Sequence, residues 1–481
     1  MLRPTKRSKK SDPATSGHDA AIYAFGGSTL LTLLLLGAGI VTSSKPVLAV
    51  PSFARQTGQP CATCHTAFPE LTPYGREFKL RGYTSGGTRC GNVAAEDREV
   101  QVPLAGMWTP NFTHVQKGIP DSVQIVADES TVGMLSGFLA GQLYCNLGSF
   151  VQGTFDAPSQ SVFLDNTDFR WSKDAHFSGI DVLLGVTANN NPTVQDVWNT
   201  TPAWSFPFIA SEFAPTPTAA TVLGGTTFAG RAGSVGGYVW INNLIYAEFS
   251  GYGAFDPNLL EALGQDPGDG TPRFANLAPY WRVALEKTWD TNSFMLGTFG
   301  MFTDLQPTVG GGSSALAFPG ITDPFTDIGA DTQYQYIGEI HAFTLRASYI
   351  NEHEKLAGEF SAGASSHPTD ELNEFKISAS YIYNHTVSVT GEYFNTWGTS
   401  DAILNAGFSS TGSPNSNGWV VDVAYLPFSY GGPSIWPWFN ARLGVSYTHY
   451  DEFDGSSGVN LTTGRSASNN DTTFVYAWVA F

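Results

Sequence analysis

The sequence predicts an all-β protein: a transmembrane antiparallel β-barrel of about 16 strands, preceded by a small α-helical module. Three observations predict it. First, the 481-residue chain is only 14% charged, yet it holds 33 Phe, 19 Tyr, 12 Trp and 52 Gly, with a mean hydropathy of −0.09. Soluble domains typically carry about 25% charged residues, and a hydropathy near zero excludes a bundle of membrane helices. Second, from residue 99 onward, apolar and polar residues alternate with period two in segment after segment. Third, the connections between those segments alternate between tight turns and long loops, as in barrels that cross a membrane.

Taken in order, residues 1–49 read as a signal peptide. Arg3, Lys6, Arg7, Lys9 and Lys10 make a basic start, and residues 28–42 form an apolar run of 15. A membrane-spanning helix needs about 20 such residues. Val47-Leu48-Ala49 then offers small residues at the −3 and −1 positions of a cleavage site; an uncleaved anchor is the rival reading. Removing residues 1–49 takes away six basic and two acidic residues. It leaves 18 basic against 40 acidic, a net charge of −22. That field repels nucleic acid and favours cations.

Residues 50–98 contain the motif Cys61-Ala62-Thr63-Cys64-His65. In an exported chain, Cys-x-x-Cys-His points to one covalently attached haem c. The two thiols stand one helical turn apart, within reach of the two vinyl groups of one porphyrin, and His65 is the proximal iron ligand. A structural zinc site would want a second close Cys/His pair, and a redox disulfide would want a βαβ context. The remaining cysteines, Cys90 and Cys145, are expected to pair in an oxidising compartment. Thr72 before Pro73 marks a helix start, and Tyr74, Phe78 and Leu80 are expected to pack on the haem or on the first helix. About fifty residues make a poor core alone, so in this monohaem cytochrome c module the haem serves as part of the core or the module leans on something larger; it is small enough to sit as a plug within a lumen.

Residues 99–481 supply the barrel. In 375–383, Phe375, Ile377, Ala379, Tyr381 and Tyr383 share a face; in 439–450, Phe439, Ala441, Leu443, Val445 and Tyr447 do. Segment 386–393 alternates likewise through Val387, Val389 and Tyr393. Residues 351–371, 398–417 and 451–470 read as long external loops; the connections near 339–342, 384–385 and 429–438 read as short and periplasmic. A soluble sandwich is the rival, but Trp and Tyr recur near strand ends, and the terminal TTFVYAWVAF resembles the closing strand of outer-membrane barrels. At about 24 residues per strand and connection the segment holds about 16 strands, wide enough for a lumen.

The loop acids Glu352, Glu354, Glu359, Asp370 and Glu371, with Asp451, Glu452 and Asp454, are expected to be solvated or to form a funnel for cations such as ferrous iron. Residues 189–204, with two prolines and four asparagines, break the strand pattern and are expected to fold into the lumen. The distal iron ligand has two candidates in residues 102–115. By alternation Met107 faces the lumen and His114 faces outward, unless Pro110 introduces a bulge that shifts the register. His341, in phase with Glu339, is a third and weaker candidate.

The run PSFARQTGQPCATCHTAFPELTPYGREFKLRGY, residues 51–83, resembles the N-terminal haem segment of the fused monohaem cytochrome–porin family of bacterial outer membranes. The stretch NNPTVQDVWNTTPAWSFPF extends the resemblance loosely into the barrel. It implies haem c on Cys61, Cys64 and His65 inside a 16-stranded barrel, and electron transfer from an extracellular donor, ferrous iron, to a periplasmic electron carrier. Such a protein is an iron:cytochrome c oxidoreductase or an electron-transfer protein seated in the lipid bilayer. The alternatives are a porin for solutes or ions with the module as plug or sensor, and a soluble periplasmic cytochrome.

Overall fold

The computed structural model describes residues 51–87, 102–118, 127–267, 271–306, 322–432 and 438–481. The expected signal peptide and Cys90 lie outside them. Sixteen antiparallel strands form one closed sheet. The first, β1, is broken into Leu104–Trp108 and Asn111–Val115, and β2 into Asp128–Thr131 and Met134–Tyr144. Then come β3 (Leu147–Asp156), β4 (Ser161–Phe177), β5 (Ile180–Asn189), β6 (Ala232–Ile241) and β7 (Ile245–Ala254). Strand β8 runs in two pieces, Arg273–Phe274 and Ala278–Trp289, followed by β9 (Asn292–Gln306), β10 (Asp323–Ile337) and β11 (His341–Lys355). The last are β12 (Thr369–Tyr383), β13 (Val387–Gly398), β14 (Ser416–Tyr425), β15 (Asn440–Glu452) and β16 (Thr472–Ala480). Each pairs with the next, and β16 returns to β1: Met107 faces Ala480 and Asn111 faces Tyr476. Among the described residues the sheet has no free edge strand, which is how a sheet survives in lipid.

The burial pattern is the inverse of a soluble protein's. On β15, Leu443, Val445 and Tyr447 are exposed while Arg442 and Ser446 are buried; on β13, Val387, Val389 and Tyr393 are exposed while Ser388, Thr390 and Glu392 are buried. The apolar faces predicted from the sequence therefore point outward, and the polar faces line the lumen. This is a transmembrane barrel of the outer-membrane type. Tyr381, Tyr383, Trp289 and Tyr336 are exposed near strand ends, as interfacial aromatics are.

At one end the connections are tight, except between β14 and β15, where residues 426–439 make a longer link than the short one expected at 429–438. Asn242 and Asn243 both take positive φ, as do Asn384 and His385. That is the two-residue hairpin geometry that matches strand twist, and Asn tolerates it. At the other end the connections are mostly long, including residues 190–231. One expectation needs correcting: loop 351–371 spans only 356–368, because Glu352, Glu354, Asp370 and Glu371 belong to β11 and β12 and pair across them.

Pro110 breaks β1 without shifting its register against β16. Met107 and Asn111 are four apart, as are their partners Ala480 and Tyr476. The shift falls on the other side, where Met107 faces Ser136 and Asn111 faces Thr131, so the extra residue is accommodated around Val132–Gly133 of β2. Met107 thus faces inward, as the alternation predicted.

Candidate functional site: the plugged lumen

Residues 51–87 fold into three short helices, α1 (Pro51–Thr57), α2 (Cys61–Cys64) and α3 (Pro73–Leu80). Thr72 caps α3: its hydroxyl accepts from Gly75 N at 3.2 Å, with Pro73 at the first helical position. The same hydroxyl donates to Thr63 O at 2.7 Å, and Thr72 N donates to Cys64 O at 2.9 Å, tying α3 to α2. The crossing is so close that a Cβ on Gly75 would lie 2.2 Å from Cys64 O; only glycine fits there.

This module sits in the lumen near the tight-turn end, because its partners are inward-facing residues all around the ring. Arg76 is 1% exposed. Its guanidinium donates to Glu286 Oε1 (2.5 Å), Ser293 Oγ (2.8 Å), Gln333 Oε1 (3.1 Å) and Gln335 Oε1 (2.6 Å), on β8, β9 and β10. Glu70 accepts from Arg346 of β11 (2.9 Å) and Ser380 of β12 (2.8 Å). Tyr83 donates to Asp168 of β4 at 2.6 Å, Tyr238 of β6 donates to Leu80 O at 2.5 Å, and Arg442 of β15 donates to Phe68 O at 2.6 Å. Leu80 joins a core with Leu183, Val197 and Trp198, and Phe78 packs against Phe53 of α1 at 5.1 Å. Tyr74 is exposed.

Cys61 and Cys64 are free thiols on α2. Asn440, at the start of β15, points its side-chain nitrogen at Cys61 Sγ (3.0 Å). Burial pushes Cys61 up to about 11 and Cys64 up to about 12, so both stay as thiols. Burial lowers His65 to about 4, outweighing the pull of the Pro69 and Glu70 backbone and the Glu70 carboxylate. The ring is therefore neutral, and among the described residues its Nδ1 has no hydrogen-bond partner. His65 meets Phe68 edge-on (5.3 Å), and Phe68 meets Trp478 (4.7 Å). Trp478 packs in a cluster with Met107, Phe138 and Phe53. Met107 is thus luminal and on the plug, reaching His65 through two aromatic rings. His114 has the outward parity and pairs with Asp128 at 2.8 Å, on the far side of the sheet from the plug. His341 is likewise outward, its Nδ1 bonded to Tyr381 Oη at 2.8 Å. Cys145 is disulfide-bonded, while Cys90 lies outside the described residues.

The β5–β6 loop, residues 190–231, also lies in the lumen, extending the inward fold expected of 189–204. Trp198, fully buried, donates to Glu286 Oε2 at 2.8 Å, so Glu286 serves plug and loop together. Lys79 of α3 donates to Val194 O (2.7 Å) and Asp196 O (2.8 Å), and burial lowers its ammonium to about 7. Farther along, three consecutive backbone amides meet three carboxylates of adjacent strands. Thr221 N donates to Glu374 (2.5 Å), Val222 N to Glu352 (2.6 Å) and Leu223 N to Asp327 (2.7 Å). Glu352 and Asp370, expected in a loop either as solvated acids or as a funnel for cations, are 2% and 5% exposed, and Asp454 is buried against Thr218. Of that group only Glu371 and Asp451 are exposed. The sequence signal for the luminal acids was their inward parity on the strands.

No known protein family matches this chain, and no curated protein does. Solved structures that resemble it include Salmonella typhi OmpF in a complex with daunomycin (11% identity, TM-score 0.45, 79% of this chain and 97% of that one). The outer membrane channel DcaP of Acinetobacter baumannii (12%, 0.42, 79% and 97%) and a loop L8 deletion mutant of OmpT, an outer membrane protein of Vibrio cholerae (10%, 0.41, 79% and 98%), also do. The assignment to a transmembrane barrel rests on the closed strand pairing and the inverted burial.

Proposed function

We propose that this chain is an outer-membrane barrel of the fused cytochrome–porin kind, whose plug holds one haem c and passes electrons from an extracellular donor, ferrous iron, to a periplasmic carrier. The observation that carries the proposal is the Cys-x-x-Cys-His segment inside the lumen: two free thiols one helical turn apart, followed by a neutral histidine whose buried Nδ1 has no hydrogen-bond partner among the described residues. Those residues fit the group: Cys61 and Cys64 would form its thioether bonds, and His65 would bind the iron, with Met107 as the distal candidate on the luminal face. Bound there, haem supplies a one-electron acceptor. The chain's own residues do the rest. Glu70, fixed by Arg346 and Ser380, holds the turn after His65, burial keeps the imidazole neutral and able to ligate, and Phe68 and Trp478 keep water from its face. Electron transfer needs no open pore, which suits a lumen occupied by a plug and a loop.

A second reading is transport of solutes or ions with the plug as gate. The barrel itself favours it, since 16 strands enclose an aqueous channel in porins. The test is anaerobic stopped-flow absorbance of the detergent-purified protein mixed with ferrous iron. Rapid growth of reduced-haem bands, lost in His65→Ala with haem still covalently bound, supports electron transfer. A protein without covalent haem that conducts in a planar bilayer would overturn it in favour of transport.

A further inference from the structure

The external end of the barrel carries a second cluster. We infer that His367, Asp370 and Asp401 bind one divalent transition-metal ion where the β11–β12 loop meets the β13–β14 loop. Their ligand atoms all lie within 4.8 Å of one another. His367 Nδ1 is 3.2 Å from Asp370 Oδ1 and 3.7 Å from Asp401 Oδ2. Donors around an ion with bonds of ~2.1 Å sit about 3 to 4 Å apart, so small adjustments close the shell.

The second observation is unsatisfied polarity. Asp370 is 5% exposed, yet among the described residues its Oδ1 has no hydrogen-bond partner, and neither has His367 Nδ1. The two atoms are close, but their alignment is not that of a hydrogen bond. A buried carboxylate oxygen left this way is costly to keep out of water; a cation between the groups removes that cost.

The rest of the site is held in place. Asp401 is fully buried, and the amides of Leu404 and Ile403 (2.8 Å each), the Ser366 amide (2.6 Å) and the Ser365 hydroxyl (2.8 Å) fix its carboxylate beside His367. Glu354, facing Asp370 across the strands, adds a further carboxylate. His367 is 46% exposed, which leaves an approach from outside. One imidazole with two carboxylates suits first-row transition dications over magnesium or calcium, which prefer all-oxygen shells of six or more.

This site does not depend on the haem. The experiment is isothermal titration calorimetry of the untagged, detergent-purified full chain with zinc chloride, with magnesium chloride run alongside. Wild type should bind one zinc per chain through this site. His367→Ala, exposed enough to leave folding intact, and Asp370→Asn should each weaken it by about tenfold or more. Glu371→Gln, on the outward face, should not. Zinc binding unchanged in both site variants would overturn the proposal, as would magnesium binding as tight as zinc and indifferent to His367→Ala. Zinc binding here with no reduction by ferrous iron would sink the electron-transfer reading and leave this one standing.

Discussion

The plug of residues 51–87 and the loop of residues 190–231 occupy the same lumen, but they hold its wall differently. The plug reaches out with its own charged side chains, Arg76 to Glu286 and Glu70 to Arg346, each pair buried. The loop tip offers backbone: the amides of Thr221, Val222 and Leu223 meet carboxylates that belong to the wall. The difference sets where specificity resides. The plug's fit is written into its side chains, so a single substitution there strands a partner charge in a dry place. The tip's fit is written into the wall and the chain path. Its side chains add packing, since Val222 and Leu223 are buried in one apolar cluster with Phe228 and Tyr252, and the backbone must come close at Gly224, where a Cβ would lie 2.1 Å from the Glu374 carboxylate.

The largest effect expected from this comparison is at Arg76. Arg76→Met leaves the Glu286 carboxylate with far less compensation and should destabilise the plugged barrel by about 3–5 kcal/mol, measured by urea unfolding of the purified protein. Arg76→Lys should not rescue it, since an ammonium cannot reproduce the guanidinium's several fixed donors. A loss under 1 kcal/mol would mean that the plug is held by packing.

Next is the wall. Glu352→Leu leaves the Val222 amide unpaired, at about 1–3 kcal/mol, and should raise single-channel conductance in planar bilayers if the loop tip lifts. Glu352→Gln keeps an acceptor and should stay close to wild type. If Glu352→Gln cost as much as Glu352→Leu, the carboxylate's charge and not its acceptor would be what holds the tip.

Lys79 joins the two regions and gives a pH signature. Its folded value near 7 lies below the ordinary 10.5, so between these values the unfolded chain holds the extra proton. Stability therefore rises with pH across that window and is flat below it. Urea midpoints measured from pH 7 to 10 should climb in wild type and climb less in Lys79→Met. The smallest effect is expected outside the lumen: His114→Ala removes an exposed pair with Asp128 and should change stability by about 0–1 kcal/mol in the same assay.

Much of this was legible in the sequence, and for physical reasons. Lipid on one side and a wet lumen on the other stamp period two on a strand, so the faces of 375–383 and 439–450 read correctly. The Thr72-Pro73 start and the luminal parity of Met107 are also local facts. The extent of β11 and β12 was not legible. Asn351-Glu352-His353-Glu354 is polar on both faces because this part of the strand meets no lipid, and pairing there is carried by backbone bonds that leave no mark on residue type. The partners of Arg76 were equally hidden, since Glu286 lies on a distant strand and one-dimensional patterns carry no information about contacts across the lumen. The exposed positions of His114 and His341 were foreseeable from parity and from tight-turn position.

The seam between β1 and β16 bears on how the molecule is made. Met107 pairs with Ala480, and Gly106 exchanges both backbone hydrogen bonds with Phe481. Until those bonds form, every partly assembled state presents two raw strand edges, each a template for a neighbouring chain. Joining the ends of so long a stretch is a slow, non-local step. The interior adds a second step, because the plug precedes the first strand and has to reach the lumen. Biogenesis is then a matter of coordination: the ring has to shut and the plug has to be seated.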